Sequence, residues 1–162
     1  MDLKSKILSL ILSLCICYLT SFIGAVASIK APVFYNELNK PSWSPPATVF
    51  GPVWGILYTL MAISLWLIYT RRPIKNSKTI YAVFLTQLVL NALWSWFFFS
   101  WKLGLFSFLE ILTLLIFIAY TIHLFLEINK LAGILLIPYF LWVSFASVLT
   151  YHLWQLNPAL LN

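Results

Sequence analysis

Pro41-Ser42-Trp43-Ser44-Pro45-Pro46 runs through Ala47-Thr48-Val49 into Phe50-Gly51-Pro52-Val53-Trp54-Gly55-Ile56-Leu57-Tyr58. Four prolines and two tryptophans fall within these eighteen residues. Each proline fixes φ at about −65° and pushes the residue before it towards extended backbone. Lys40 to Pro46 is therefore expected to be a stiff, non-helical strap. Thr48 is placed to cap a helix that starts just after it. Pro52 falls in the first turn of that helix, where a missing N–H costs least. The strap carries Trp43, and the helix carries Trp54 one turn inside its start. The rest of the chain is apolar sequence that this unit must organise.

Of the 162 residues, 62% are hydrophobic and 9% are charged. A soluble domain of this size could not cover its surface with so few charges. The segments are apolar on all faces, whereas barrel strands alternate polar and apolar residues. The expected fold class is an all-α integral membrane protein, a bundle of five transmembrane helices with a long ordered first loop. A helix needs about 20 residues to cross the hydrocarbon core. Five such segments are legible, at about 7–28, 48–70, 79–101, 104–126 and 132–154. They use up most of residues 1–162, which are read as a single transmembrane domain.

The net charge of +6 lies in the loops. On a membrane protein it reports topology and contact with anionic lipid rather than nucleic acid. With the N-terminus in the cytoplasm, that side holds seven basic residues: Lys4, Lys6, Arg71, Arg72, Lys75, Lys78 and Lys130. The other side holds three: Lys30, Lys40 and Lys102. The positive-inside rule then favours a cytoplasmic N-terminus. Lys4 and Lys6 precede an apolar run ending in Ala25-Val26-Ala27, which imitates a cleavable secretory signal. The run is longer than the roughly 7–15 residues of a signal core, so it is read as a retained first helix.

The first helix carries Ser9, Ser13, Cys17, Ser21 and Ala25 four residues apart, with Gly24 beside the last. Small residues at this spacing allow close backbone approach in lipid, either within the bundle or in a homodimer contact. Cys15 and Cys17 point to different faces and cannot bond each other within a helix. Residues 29–47 are long for a loop in a compact bundle and include Phe34, Tyr35 and Trp43, which suits a functional lid.

The third helix carries Gln87, Asn91 and Ser95 on one stripe, flanked by Trp94 and Phe98. Amides should not face lipid. The stripe either bonds neighbouring helices or lines a cavity. Glu110 lies inside the fourth span, where an ionisable group is a functional candidate by default; pairing with Lys102 or reaching the interface is an equal alternative. Glu127 borders the same span. Pro138 is expected to free a carbonyl one turn upstream and kink the fifth helix. His123 and His152 are read as interfacial side chains.

The sequence holds no metal-ligand spacing, no nucleophile with a placed base, no phosphate loop and no paired carboxylates. No metal and no required cofactor are expected. What stands out is aromatic: 18% of residues are Phe, Trp or Tyr, with eight Trp. Trp101 and Trp154 sit at helix ends and suit interfacial belts. Trp54, Trp94 and Trp142 share helix faces with small or polar residues, which suits a cavity for a flat, largely apolar ligand.

Pro41-Ser42-Trp43-Ser44-Pro45-Pro46, Phe50-Gly51-Pro52-Val53-Trp54 with Leu57-Tyr58-Thr59-Leu60-Met61, Gln87-Leu88-Val89-Leu90-Asn91 with Trp94, and Pro138-Tyr139 with Trp142-Val143-Ser144-Phe145-Ala146 occur in this order. Together they resemble the translocator protein family, also called tryptophan-rich sensory proteins or peripheral-type benzodiazepine receptors, over nearly the whole chain. The resemblance implies a five-helix bundle, commonly a homodimer, whose cavity is capped by the first loop. It implies binding of porphyrins such as protoporphyrin IX, of benzodiazepine-type ligands and, in animal members, of cholesterol. Carried over by motif, Trp54, Asn91, Trp142 and Ala146 resemble pocket-lining residues. With the residues read above, the candidate ligand-binding set is Trp43, Phe50, Trp54, Tyr58, Gln87, Asn91, Trp94, Trp142 and Ala146. Trp54 and Trp142 also match tryptophans implicated in light-dependent porphyrin breakdown by bacterial members, and would be the catalytic residues of an enzymatic reading. A receptor or sensor of tetrapyrroles, a porphyrin-degrading enzyme and a tetrapyrrole or lipid transporter are thus all implied. The chain has Leu149-Thr150-Tyr151 where the family often has Leu-Asn-Tyr, and no basic residue follows Lys130. The animal cholesterol motif is therefore incomplete. The absence of a targeting extension and the compact length suggest a bacterial plasma-membrane protein.

Overall fold

The computed structural model describes residues 2–71 and 73–161. Arg72, one of the basic residues counted above, lies outside them, as do Met1 and Asn162. The regular structure among the described residues is helical. It comprises α1 (Leu3–Ala27), α2 (Ala31–Glu37), α3 (Phe50–Tyr69), α4 (Ser77–Ser95), α5 (Gly104–Ile128), α6 (Lys130–Leu135) and α7 (Ile137–Leu156). A 3-10 turn, Ala47–Val49, leads into α3, and a π-helical turn, Trp96–Ser100, prolongs α4. Among the described residues, five stretches are long and apolar enough to cross a membrane: Leu3–Ala27, Ala47–Tyr69, Ser77–Ser100, Gly104–Ile128 and Lys130–Leu156. The protein is an integral, multi-pass membrane protein.

The spans close a ring. Helix α1 packs on α3 and α4, α4 on α5, and α5 on both α6 and α7. The ring is completed where α3 meets α6; further along, backbone contact between α3 and α7 is sparse at most. The bundle is therefore tight at the α6 end and opens as a wedge towards the first loop. Lipid offers helices no hydrophobic drive to associate, so polar contacts and close packing hold the ring. The Ser64 hydroxyl donates to the Ala132 carbonyl at 2.7 Å, joining α3 to α6. The Tyr18 and Thr59 hydroxyls meet at 2.8 Å, joining α1 to α3. Leu19, Phe22, Ile116 and Leu141 face outward, as expected where the surrounding medium is hydrocarbon.

Several local expectations are refined. On α1 the buried small residues are Ser9, Ser13 and Cys17, then Gly24 and Ala27, while Ala25 is exposed. A four-residue step overshoots a 3.6-residue turn by roughly 40°, so a strict stripe rotates out of the interface and the burial moves to other positions. The loop from residue 29 to 47 contains a helix, α2, that its sequence did not announce. Thr48 caps nothing: no side-chain bond caps either the 3-10 turn or α3. Pro52 does fall in the first turn of α3. At Pro138 the fifth span breaks rather than bends. Leu136 ends α6 with its N–H on the Gly133 carbonyl at 3.1 Å, and α7 begins with Pro138 in its first turn.

Candidate functional site: an aromatic wedge under a fastened lid

Helix α2 and the proline strap lie over the open end of the wedge. The Tyr35 hydroxyl donates to the Pro45 carbonyl at 2.9 Å, tying the strap back to α2. Burial raises the Tyr35 phenol above its ordinary value, with an opposing contribution from Ser44. It therefore remains a neutral donor. The Lys40 ammonium donates to the Tyr35 and Leu38 carbonyls, each at 2.8 Å, and to the Asn36 carbonyl at 3.3 Å. These are the carbonyls that a helix C-terminus leaves without partners, and a cation also suits that end of the helix dipole.

The lid is fastened to the far end of α7 by one amide. Asn157 accepts the Asn39 N–H at 2.8 Å and donates to the Asn39 carbonyl at 2.9 Å. Its Nδ2 also donates to the Leu153 carbonyl at 2.8 Å. The side chain thus pairs with the strap as a neighbouring strand would. The C-terminal tail is anchored in turn: the Gly104 N–H donates to the Leu161 carbonyl at 3.1 Å. A Cβ on Gly104 would lie 2.3 Å from Trp154 Cδ1 and 2.6 Å from the Leu161 oxygen, so this close approach requires glycine.

Below the lid runs an arc of rings. Tyr35 meets Phe50 at 5.4 Å between centroids, Phe50 meets Trp142 at 5.9 Å, and Trp142 meets Phe145 at 5.5 Å. Trp43 closes the arc from above, edge-on to Phe145 at 5.7 Å and to His152 at 5.5 Å. Edge-on pairs at these distances are favourable because the positive ring edge meets the negative face. One turn further into α3, Trp54 contacts Tyr58 at 5.6 Å and Tyr139 at 6.2 Å.

The floor is polar. Asn91 accepts a hydrogen bond from the Tyr58 hydroxyl and donates one to the Tyr139 hydroxyl at 2.9 Å. This knot joins α3, α4 and α7. It answers one of the two readings of the amide stripe: Asn91 bonds neighbouring helices. Gln87, one turn deeper on α4, is buried with both amide atoms lacking a hydrogen-bond partner. Ser95 has turned towards α1, where its hydroxyl lies against Gly24. Glu110 pairs with neither Lys102 nor the interface. It is 8% exposed, and neither oxygen has a partner. Lys102 instead sits over the Phe34 ring, 4.6 Å from its centroid.

Of the candidate residues, Phe50, Trp54, Tyr58, Asn91 and Trp142 converge on the wedge between α3 and α7. Ala146 is buried one turn beyond Trp142 in the same packed core. Trp43 forms the rim and is 45% exposed. Trp94 packs between the bundle core and the lid cluster, stacked on Phe98 at 5.3 Å. The wedge is filled with rings, not empty. Among the described residues no group of three His, Cys, Asp or Glu is placed to hold a metal ion. Glu127 lies at a helix end, 3.5 Å from His123. The sequence did not single out Tyr139, Asn157 or Lys40. Tyr139 was visible as the partner of Pro138, but nothing local marks Asn157 as a clamp for a segment 118 positions earlier.

The TspO/MBR family model matches residues 11–155. A tryptophan-rich protein TspO from Chlorobaculum tepidum is 39% identical over 96% of this chain and 100% of its own length. One from Bacillus cereus is 33% identical over 90% of this chain and 96% of its own. The translocator protein of Homo sapiens is 32% identical over 76% of this chain and 75% of its own. With a family match over most of its length and relatives aligned nearly end to end, the chain belongs to the TspO/MBR family.

Proposed function

We propose that this protein is a membrane receptor or sensor that takes porphyrins and related flat hydrophobic ligands, benzodiazepine-type molecules among them, into the wedge between α3 and α7. The observation that carries this reading is the continuous arc from Tyr35 through Phe50, Trp142 and Phe145 to Trp43, poised above a polar floor. Each contact is between side chains that can turn, while the backbones of α3 and α7 are not packed on one another there. A planar ligand can replace ring–ring contacts with ring–ligand contacts of the same kind, each contributing about 0.5–1.5 kcal/mol beyond burial. Trp54 and Trp142 both border this space, which favours a second reading, light-dependent breakdown of a bound porphyrin. Seven of the ten basic residues fall in the segments at the end of the bundle away from the lid, and on the positive-inside rule we assign the N-terminus to the cytoplasm, with the lid on the outer side of a bacterial plasma membrane.

Titration of the purified protein with protoporphyrin IX, in the dark and under illumination, tests the reading through the absorbance spectrum. Saturable dark binding with a shifted, stable spectrum supports a receptor. Protein-dependent loss of the pigment in light supports the enzyme. Spectra identical to those in protein-free detergent would remove both.

A further inference from the structure

His152 stands at the outer end of the α7 stripe that carries the aromatic arc. Trp142, Phe145, Leu149 and His152 follow one another at three- and four-residue steps, which keeps them on one side of a helix. The His152 ring is half-buried at the rim, 5.5 Å from the Trp43 ring and 5.7 Å from the Tyr151 ring. Its Nδ1 lies 2.8 Å from the Val148 carbonyl, one turn back along α7. A carbonyl only accepts, so in the neutral ring Nδ1 carries the hydrogen and Nε2 keeps a free lone pair. With Nδ1 turned in towards its own helix, Nε2 is turned away from it. Among the described residues no hydrogen bond reaches Nε2. His123 differs on each count: its Nε2 faces Glu127 at 3.5 Å, at the end of the bundle away from the lid.

We propose that His152 Nε2, beside Trp43 at the rim of the wedge, is an axial ligand for the metal of a metalloporphyrin bound under the lid. An imidazole that binds a metal characteristically donates its other N–H to a carbonyl or carboxylate, which fixes the tautomer and makes the ligating nitrogen more basic. The bond to Val148 is that arrangement. Among the described residues no three His, Cys, Asp or Glu converge as a bare ion would require. A porphyrin brings its own in-plane nitrogens, so the protein need add only an axial donor. One histidine suffices if a flat apolar surface beside it holds the macrocycle, and Phe145 and Trp142 supply that surface. Trp43 covers Phe145 and His152 together and rides on the strap, so a lid that lifts uncovers the stacking ring and the donor at once. The ligation rests on the reading of the wedge as a porphyrin pocket and adds a selectivity to it. A metallated pigment is preferred over the free base, whose centre offers a lone pair nothing to bind.

Two pigments of the same outline separate the ligation from the pocket: zinc protoporphyrin IX, whose metal takes one axial ligand, and metal-free protoporphyrin IX. Each is titrated in the dark, in neutral detergent, into the parent protein, His152→Phe, His152→Ala and His123→Ala, with absorbance and fluorescence followed. Phenylalanine keeps a ring for Trp43 to rest on but has no nitrogen. In the parent, the main absorbance band of the zinc pigment should move to longer wavelength than in protein-free detergent. The zinc pigment should also bind about tenfold more tightly than the free base, for which the axial bond need supply only about 1.4 kcal/mol. In His152→Phe the band shift should vanish and the affinity ratio fall to about one, with the free base still bound as in the parent. His123→Ala should keep both the shift and the ratio. Should His152→Phe fail to fold, the same losses are required of His152→Ala. A parent that binds both pigments with no band shift, a shift that survives the His152 changes, or one lost in His123→Ala overturns the ligation alone. Failure of the parent to bind either pigment overturns the pocket and the ligation together.

Discussion

Replacing Asn157 with alanine should unfasten the lid without touching any ring beneath it. In the native protein this amide makes two bonds to the backbone of Asn39, at 2.8 and 2.9 Å. Its third bond, to Leu153, stays within the end of α7. Alanine removes all three, but only the first two couple the strap to the bundle. At about 0.5–1.5 kcal/mol for each bond, the lid loses about 1–3 kcal/mol of its attachment, which raises its open population roughly 5- to 150-fold. The remaining fastenings are internal to the lid, as with Lys40 and Tyr35, or aromatic, as with Trp43 on Phe145. They do not replace the lost bonds. Hydrogen exchange read by mass spectrometry over residues 29–47 should accelerate by that factor, while α5 keeps its protection. A bound porphyrin should also dissociate faster. Unchanged exchange across the strap in a folded Asn157→Ala protein would show that the rings alone hold the lid, and the clamp argument would fail.

Asn91→Leu should lower thermal stability as well as ligand affinity, because it leaves the Tyr58 and Tyr139 hydroxyls buried without their partner, at about 1–3 kcal/mol for each orphaned group; a melting curve that does not move would mean those hydroxyls find other partners. Gly104→Ala forces its Cβ against Trp154 and the Leu161 carbonyl, and overpacking of this kind costs about 1–3 kcal/mol, so melting should fall and the Trp154 environment should change in fluorescence. Trp54→Phe and Trp142→Phe keep a π-face and should weaken dark porphyrin binding by no more than about tenfold. If the indoles take part in chemistry, light-driven bleaching at saturation should collapse in at least one of the two while dark binding persists, and equal rates in both variants and the parent would leave the protein a binder only.

What could be read from the sequence was what depends on composition and on short spacing. Five apolar stretches of the right length locate five spans, because a lipid solvent imposes its thickness on the chain. The prolines around Trp43 locate the stiff strap, because their constraint is local. The residues that bring the strap and the wedge together were not legible. Asn157 looks like the polar end of a helix until the fold sets it beside Asn39. Lys40 looks like an interfacial anchor until α2, itself unannounced, presents its last carbonyls. The amide stripe shows the same limit from the other side. Gln87, Asn91 and Ser95 share a face by spacing, yet the structure gives them three environments: an unpartnered interior, a knot between three helices, and the α1 contact. Spacing of four residues drifts around the helix, and neighbours, not periodicity, decide what each side chain meets.

That divergence bears on how the wedge would work. The knot at Asn91 ties α3 and α7 together at the floor, through side chains that reach across a gap which the backbones leave open. Above it, Phe50 meets Trp142 and Trp54 meets Tyr58 and Tyr139 through ring contacts, each of about 0.5–1.5 kcal/mol beyond burial. The lid, by contrast, is joined to α7 by two directional bonds at Asn157, while those of Lys40 and Tyr35 stiffen the lid itself. Opening therefore divides into two steps with different physics. On the proposed reading, admission of a ligand past the lid would require breaking the two hydrogen bonds between Asn157 and the strap. Accommodation of that ligand in the wedge would require turning rings, which leaves the knot and the helix positions in place. A substitution at the clamp should then act mainly on the rates of entry and exit, and one at Trp54 or Trp142 mainly on affinity.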